Sequence, residues 1–139
     1  SKVTKLSATE AGMSGAVEGA RMAFPKFQGT ARAKYTFPVS DSADGWVAAS
    51  ITHVGSFPNQ FPNIPGQPGT QTPTYGHTES HESVGLSAGY EAGGLKVVAY
   101  VENLLDSDRI NYIHPEAFTQ SRYGVQRPRT LGVRVGYDF

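Results

Sequence analysis

Histidine and glutamate side chains cluster at one place in the sequence, and such side chains are common ligands of transition metals. His77 and His81 flank Glu79, and Glu82 follows directly. If this segment is a strand, residues 77 and 81 share a face but lie roughly 13 Å apart, which is too far to hold one ion. We therefore expect no metal site here and interpret these residues as a polar rim.

Other patterns that could support catalysis are weak. Ser, His and Asp are all present, but no serine has the surroundings of a catalytic nucleophile. Gly12 and Gly15 lack the lysine and the following helix of a phosphate-binding loop, so they are expected to be turn residues. The sequence predicts no catalytic residue, no enzymatic activity and no cofactor.

The loop over residues 107–127 is the best candidate for ligand binding. Cationic and aromatic groups occur together in it, which suits an anionic, aromatic or sugar-like ligand. The alternative is that Arg122 and Arg127 pair with carboxylates of the lumen while the aromatic rings pack the loop. Outside the loop, Arg134 and Glu102 are predicted to share a face and could form such a pair. The candidate ligand-binding residues are Arg109, Tyr112, His114, Phe118, Arg122, Tyr123 and Arg127.

The C-terminal segment, residues 128–139, alternates between apolar and polar residues almost without exception. A period of two is typical of a β-strand with one apolar face. A strand that ends on an aromatic residue is typical of outer-membrane barrels, whose aromatic residues lie at the membrane interfaces. The alternative is an ordinary strand of a soluble sheet. The residues predicted to face lipid are Leu131, Val133, Val135, Tyr137 and Phe139.

Composition favours a β protein with many turns. The 139 residues include 16 Gly, 9 Pro and 11% aromatic residues, with no Cys. The 12 basic and 12 acidic residues balance, so no broad electrostatic field favours nucleic acid. No apolar run is long enough for a transmembrane helix, whereas strands with one polar face remain compatible with a mean hydropathy of -0.35.

The alternation predicts an all-β, antiparallel, up-and-down meander of about five to six long strands. Short turns are expected at 40–45 and 92–94, and long loops at 9–26, 58–76 and 107–127. The long and short connections alternate, as in bacterial outer-membrane barrels. A helical turn is expected around 16–22. The predicted strands cover a strand tail at 1–8 and full strands at 27–39, 46–57, 77–91, 95–105 and 128–139.

The number of strands predicts that the chain cannot close a barrel alone, because the smallest transmembrane barrels have about eight strands. Residues 1–139 are therefore either the C-terminal portion of a larger transmembrane β-barrel or a soluble sheet covered by something else, and the polar and apolar strand faces favour the first. The chain begins at Ser1 without an initiator Met or a signal peptide, which suggests a processed protein or a fragment.

Two C-terminal motifs resemble the end of a TonB-dependent outer-membrane receptor. They are Tyr100-Val-Glu-Asn-Leu-Leu-Asp106 and Arg127-Pro-Arg-Thr-Leu-Gly-Val-Arg-Val-Gly-Tyr-Asp-Phe139. In that family the penultimate strand typically ends in Asn-Leu-(Leu/Phe)-Asp, and the last strand begins at Pro-Arg-Thr. Phe24-Pro-Lys-Phe27, Tyr35-Thr-Phe37 and Val54-Gly-Ser56 also resemble the strands of such barrels. The resemblance covers roughly residues 20–139.

The resemblance implies a barrel of about 22 strands around an N-terminal plug, located in the bacterial outer membrane. Such receptors take up a scarce ligand, for example an iron siderophore, a haem, cobalamin or a glycan, using energy delivered by TonB. The implied partners are outer-membrane lipid, the remaining strands and plug, the TonB complex through an N-terminal part, the outer-membrane assembly machinery through the last strand, and a small-molecule ligand. The turns would be periplasmic and the long loops extracellular.

Two alternatives remain open at this point. One is another outer-membrane barrel, such as a porin-like channel, and the other is a soluble β-sandwich that acts as a binding or adhesion module. A lipid-facing strand predicts that Val133→Arg destabilises the protein by about 2 to 4 kcal/mol near the bilayer midplane. On the opposite face, Gly132→Ser is expected to be mild.

Overall fold

A computed structural model describes residues 2–114 and 122–139 of the chain. Its long strands agree with the five full strands predicted from alternation, with ends that shift by a few residues. The second strand begins and ends three residues earlier than predicted, because the chain turns tightly after Ser40. The elements are α1 Ala8–Ser14, β1 Gln28–Ser40, β2 Ala43–Val54, β3 His81–Ala92, β4 Leu95–Glu102, β5 Ile110–Ile113, β6 Tyr123–Val125 and β7 Thr130–Tyr137.

The five long strands form one sheet in the order β1-β2-β3-β4-β7. Strands β3 and β4 pair antiparallel with Leu86 opposite Val101, and β4 pairs antiparallel with β7 so that Val101 lies opposite Leu131. The predicted antiparallel meander is therefore confirmed. The sheet is open among the described residues, since β1 and β7 each pair with a single neighbour.

Side-chain contacts give the direction of the remaining pairs. Trp46 lies against Gly89 and Ser50 against Gly85, so β2 and β3 run in opposite directions. Thr30 and Thr52 share a hydrogen bond of 3.0 Å between their hydroxyl oxygens, near the start of β1 and the end of β2. The strand ends that lead to the long connections consequently lie at one end of the sheet, and the short turns lie at the other.

The chain divides into two compact units. The sheet unit comprises Gly29–His53, Glu82–Asp108 and Arg127–Phe139, and the loop unit comprises Ser1–Gln28, Val54–His81 and Arg109–Gln126. The buried apolar side chains Ala16 and Ile113 belong to the loop unit, and Ala43 belongs to the sheet unit. The long connections thus form an organised unit of their own.

The N-terminal segment differs from its prediction. The helix covers Ala8–Ser14, whereas a turn around 16–22 was expected, and the described residues 2–7 before it form no strand. Ser7 accepts a hydrogen bond from the backbone N–H of Glu10, whose carboxylate accepts one from the N–H of Ser7 in return. Gly15 ends the helix with a φ of 68°, a conformation that favours glycine. No helix among the described residues is long and apolar enough to cross a membrane.

The proline-rich connection before β3 contains no strand, as predicted, but it is well packed. Pro58 is fully buried, and Thr74 and Thr78 are also buried. The side chain of Asn59 donates to the carbonyl of Thr74 at 2.8 Å and accepts from the N–H of Gly76 at 2.9 Å. Polar side chains therefore supply the hydrogen bonds that a ladder supplies in regular structure.

The two faces of the sheet differ in character. We name as the apolar face the side that carries the odd-numbered residues of β1, β2, β4 and β7 and the even-numbered residues of β3. It includes Tyr35, Val47, Leu86, Val101, Leu131, Val133, Val135 and Tyr137. The opposite side is the polar face, which includes Arg32, Lys34, Trp46, Ser50, Ser87, Tyr100, Glu102 and Arg134.

Exposure along β2 and β3, but not along β4, is the reverse of that in a water-soluble sheet. Along β2, Val47 and Ile51 are exposed, whereas Trp46, Ser50 and Thr52 on the polar face are partly buried. Along β3, exposed Leu86, Ala88 and Tyr90 alternate with partly buried Ser87 and Gly89. A soluble antiparallel sheet packs its apolar face on the core and leaves the polar face to water.

Aromatic rings lie on glycines of neighbouring strands. An ideal Cβ on Gly89 would lie 2.2 Å from the Trp46 ring, and one on Gly132 would lie 2.4 Å from the Tyr100 ring. Phe37 covers Gly45 in the same way on the apolar face. A side chain at position 132 would meet the far end of the Tyr100 side chain, so Gly132→Ser requires that ring to shift, and its mild effect stays a prediction.

We predict that Gly89→Ala destabilises the sheet by about 1 to 3 kcal/mol, because the added methyl group overlaps the bulky indole ring. Gly136→Ala is the matched control, since an added Cβ there meets nothing within 4 Å on the same face. Urea unfolding followed by far-ultraviolet circular dichroism measures both variants in one medium. Equal stabilities of the two variants would contradict the packing of Trp46 on Gly89.

Candidate functional site

A short hairpin positions four of the predicted ligand-binding residues. Strands β5 and β6 pair antiparallel with Ile113 opposite Tyr123, and the N–H of His114 donates to the carbonyl of Arg122 at 2.9 Å. The sequence predicted a loop over this whole segment, because strands of four and three residues are too short to show alternation. The hairpin brings Tyr112, His114, Arg122 and Tyr123 together within the loop unit.

The aromatic residues of this hairpin remain accessible. Tyr112 is 51% exposed and Tyr123 is 59% exposed. The ring of His114 lies edge-on to that of Tyr112 with 6.0 Å between their centroids. Phe118 lies outside the described residues. The two exposed phenol rings therefore provide a surface on which a planar or sugar-like ligand could stack.

Arg109 already has a partner within the loop unit. Its guanidinium lies 3.3 Å from a carboxylate oxygen of Glu79, and the other oxygen accepts from the N–H of Ile110 at 2.8 Å. The hydrogen bond from Ile110, followed by Arg109, lowers the pKa of Glu79 from its usual value. The charge of Arg109 is therefore already paired within the loop unit, whereas the alternative expected such pairs for Arg122 and Arg127.

The remaining predicted ligand residue, Arg127, belongs to the sheet unit rather than the loop unit. Its carbonyl oxygen accepts a hydrogen bond of 2.8 Å from the side-chain amide of Asn103. The predicted ligand set is thus divided between the two units, and Arg127 takes part through its backbone in a structural contact.

The histidines of the polar rim bind neighbouring groups. A ring nitrogen of His81 lies 3.1 Å from the carbonyl oxygen of Glu79, and one of His53 lies 2.8 Å from the carboxylate of Glu82. The rings of His77 and Tyr75 meet edge to face. Among residues 2–114 and 122–139, no group of three or more His, Asp or Glu side chains could hold a metal ion.

Asn103 connects the end of β4 to the start of β7. Its side-chain amide is buried and donates to the carbonyls of Ser107 and Arg127, while its oxygen accepts from the N–H of Ser107. Its backbone has a φ of 49°, which asparagine tolerates better than most residues. We call residues 103–107 the Asn103 loop. Three side-chain hydrogen bonds explain physically why an asparagine stands here.

Asp106 adds a second link between the same two motifs. Its carboxylate accepts from the backbone N–H of Arg129 at 2.9 Å and lies 3.6 Å from the Arg129 guanidinium. Arg129 also donates to the carbonyl of Leu104 at 3.4 Å. The first and last residues of Asn-Leu-Leu-Asp therefore each bind the segment that begins the last strand, so the two motifs form one structural feature.

Arg134 does not form the ion pair with Glu102 that the sequence suggested. It lies opposite Val98 in the register, whereas Glu102 lies opposite Thr130, so the two are separated by four residues along the sheet. Four residues of strand span roughly 13 Å. The guanidinium carbon of Arg134 instead lies 4.8 Å from the centroid of the Tyr100 ring.

One motif was not recognised from the sequence. Gly85-Leu-Ser-Ala-Gly89 has the Gly-x-Ser-x-Gly spacing of a nucleophile elbow. That function requires a sharp turn between a strand and a helix, but these residues lie in the middle of β3. The two glycines accommodate Ser50 and Trp46 of the neighbouring strand instead. The motif therefore has a packing role in this fold.

A concave groove of about 590 Å³ lies on the polar face and was also missed. Cationic and aromatic side chains of strands β1, β2, β4 and β7 border it, and Ser50 and Ser87 contribute hydroxyl groups. The alternation predicted that these residues share a face but carried no signal for a concave site. Its charged and aromatic lining residues are Arg32, Lys34, Trp46, Tyr100, Glu102 and Arg134.

Comparison with protein-family models, with curated proteins and with solved structures finds no significant match to this chain.

We predict that Asn103→Ala lowers the free energy of unfolding by about 1 to 3 kcal/mol, because two backbone carbonyls and one N–H lose their partner in a buried place. Ser107→Ala is the matched control, since the backbone of Ser107 and not its hydroxyl makes these contacts. Denaturant unfolding measures both variants. Asn103→Gly retains freedom at positive φ, and full stability in that variant would show that the hydrogen bonds contribute nothing.

A second prediction concerns the pH dependence of stability. Because the pKa of Glu79 is lowered by folding, its contribution to stability is present above the usual glutamate pKa of 4.5 and is lost as pH falls through the lowered value. A nuclear magnetic resonance titration of Glu79 should give a pKa below 4.5. Glu79→Gln should remove this part of the acid sensitivity. Arg109→Gln should retain most of the lowering, since the bond from Ile110 remains, and an unshifted Glu79 in the parent chain would contradict the contact.

Proposed function

We propose that this chain is the C-terminal barrel segment of a TonB-dependent outer-membrane receptor. In this role the sheet contributes a part of the barrel wall, with its apolar face toward lipid and its polar face toward the lumen. The long connections contribute extracellular loops for uptake of a scarce nutrient such as an iron siderophore, a haem, cobalamin or a glycan. The chain itself performs no chemical conversion.

The exposed apolar face of the sheet carries this proposal. The apolar side chains of β7 are among the most exposed, at 76% for Leu131, 67% for Val133 and 68% for Val135. Burying a side chain of this size is worth about 1.5 to 3 kcal/mol. An outer-membrane barrel obtains that free energy by placing the face against lipid, while its lumen receives the polar side chains.

The sheet edges and the terminal motifs support the same interpretation. An exposed edge strand presents unpaired backbone groups that invite pairing, and a barrel removes this problem by closing. Strands β1 and β7 each have a free edge among the described residues. The Asn103 loop also joins the two motifs that resemble the end of the receptor family.

The main alternative function is that of a soluble β-sandwich that acts as a binding or adhesion module. In a sandwich the inner faces of two sheets pack on each other to form the core. The second sheet here, β5 and β6, has only two short strands and belongs to the other unit. Within the sheet unit of the described residues nothing covers the apolar face, so this alternative lacks its defining contact.

The first test is the solution state of the 139-residue chain, measured by size exclusion with light scattering in buffer and in detergent. We expect a defined β spectrum in detergent micelles and aggregation in plain buffer. A compact monomer that unfolds cooperatively in buffer would contradict a lipid-facing surface and favour the soluble module.

Single cysteines give a sharper test, because the chain has no native cysteine. Val133→Cys and Val135→Cys report on the apolar face, and Thr130→Cys and Gly136→Cys are matched controls on the polar face of the same strand. Each is labelled with a polarity-sensitive fluorophore in lipid vesicles. We expect brominated lipid to quench the first pair and aqueous iodide to quench the second. Quenching of all four by iodide alone would contradict the proposal.

A further inference from the structure

Two cations on the polar face of the sheet lie over aromatic rings. The Nζ of Lys34 lies 4.5 Å from the centroid of the Trp46 ring, and Arg134 lies over Tyr100. Each of these rings rests in turn on a glycine of the next strand, Gly89 or Gly132. Both aromatic platforms are thereby fixed by the backbone, and they hold the cations above them.

The charges of these cations are not neutralised by nearby carboxylates. The ion pairs of the described residues engage His53, Lys96, Arg109 and Arg129, but neither Lys34 nor Arg134. A ring quadrupole attracts a cation without cancelling its net charge. With Arg32, the groove has three cationic side chains and a single carboxylate, that of Glu102.

The dimensions of the groove define what it could accept. Its volume of about 590 Å³ lies within the range of pockets that hold small molecules. Trp46 and Tyr100 lie on β2 and β4, which are two strand spacings or roughly 10 Å apart. A single phosphate or carboxylate therefore cannot contact both aromatic-bound cations, whereas a molecule with several anionic groups across that span can.

We propose that this groove on the polar face binds a small multivalent oxyanion, a compact molecule that carries several phosphate or carboxylate groups. Lys34 and Arg134 contact anionic groups at its two ends, and Ser50 and Ser87 supply hydroxyl groups to the space between them. The inference goes beyond the proposed membrane role, because it depends on the polar face and not on what covers the apolar face.

Trp46 provides a direct readout, since it is the only tryptophan in the chain. The full chain, folded in buffer or in detergent micelles, is titrated with inositol hexakisphosphate at constant ionic strength while Trp46 emission is recorded. We expect a saturable change in emission. Inorganic phosphate at the same total phosphate concentration should give a much weaker response, because it cannot span the groove. An equal response to both anions, or none to either, would overturn the proposal.

Matched variants test whether the anion binds in the groove or is attracted nonspecifically to any positive charge on the chain. Lys34→Gln combined with Arg134→Gln should weaken binding at least tenfold, whereas Lys34→Arg should retain it. Lys96→Gln is the control, because Lys96 has the same charge and lies on the same face but is paired with Asp138 at 3.0 Å. Equal weakening by Lys96→Gln and by the double variant would overturn the assignment.

A citrate titration separates phosphate from carboxylate recognition within the same class. Citrate binding that is lost with the double variant extends the site to carboxylates, and binding of inositol hexakisphosphate alone restricts it to larger phosphorylated molecules. Neither result depends on fluorophore quenching at positions 133 and 135. The anion titrations therefore test the groove proposal, and the fluorophore quenching tests the membrane proposal, so the two can fail independently.

Discussion

The rest of the structure is arranged around an exposed apolar sheet face, and keeping such a face in water costs free energy. Four side chains of β7 on the apolar face are each more than half exposed. At about 1.5 to 3 kcal/mol for each side chain, covering them is worth as much as the net stability of many domains. A surface that covered this face would therefore stabilise the folded state substantially. The edges of β1 and β7 are a second surface that the described residues leave unpaired.

The sheet was largely predictable because alternation is a strong local signal. Strands β1, β2, β3, β4 and β7 were all located, and their faces followed from residue parity alone. The turn at Gly93 and Gly94 was recognised because glycine favours tight turns, and both residues do adopt positive φ. The helix was misplaced even though Ser7 and Glu10 carry a capping signal, since no apolar periodicity follows it. The β5–β6 hairpin was missed because its strands are too short to show a period.

The candidate sites were less predictable, because they depend on which strands become neighbours. The sequence placed Arg134 and Glu102 on one face, but only the register reveals that Arg134 is nearer Tyr100. In the same way, the glycines at positions 89 and 132 do not reveal in the sequence that an aromatic ring of the neighbouring strand packs on each of them. The partnership of Arg109 with Glu79 joins segments thirty residues apart, which no local pattern encodes. Asn103 was noticed as a motif, although its hydrogen bonds explain it only after folding.

The Asn103 loop also bears on the order in which the sheet assembles. Strands β1 with β2, and β3 with β4, are joined by two-residue turns, so each pair can form as a local hairpin. Pairing β7 with β4 instead requires closure of the chain over residues 103–129, which carries a larger entropic cost. Asn103 and Asp106 bind Arg127 and Arg129 just before that pairing begins. Once these contacts exist, the register of the last strand is set from its first residue, and a slip by one residue would turn its apolar side chains to the wrong face.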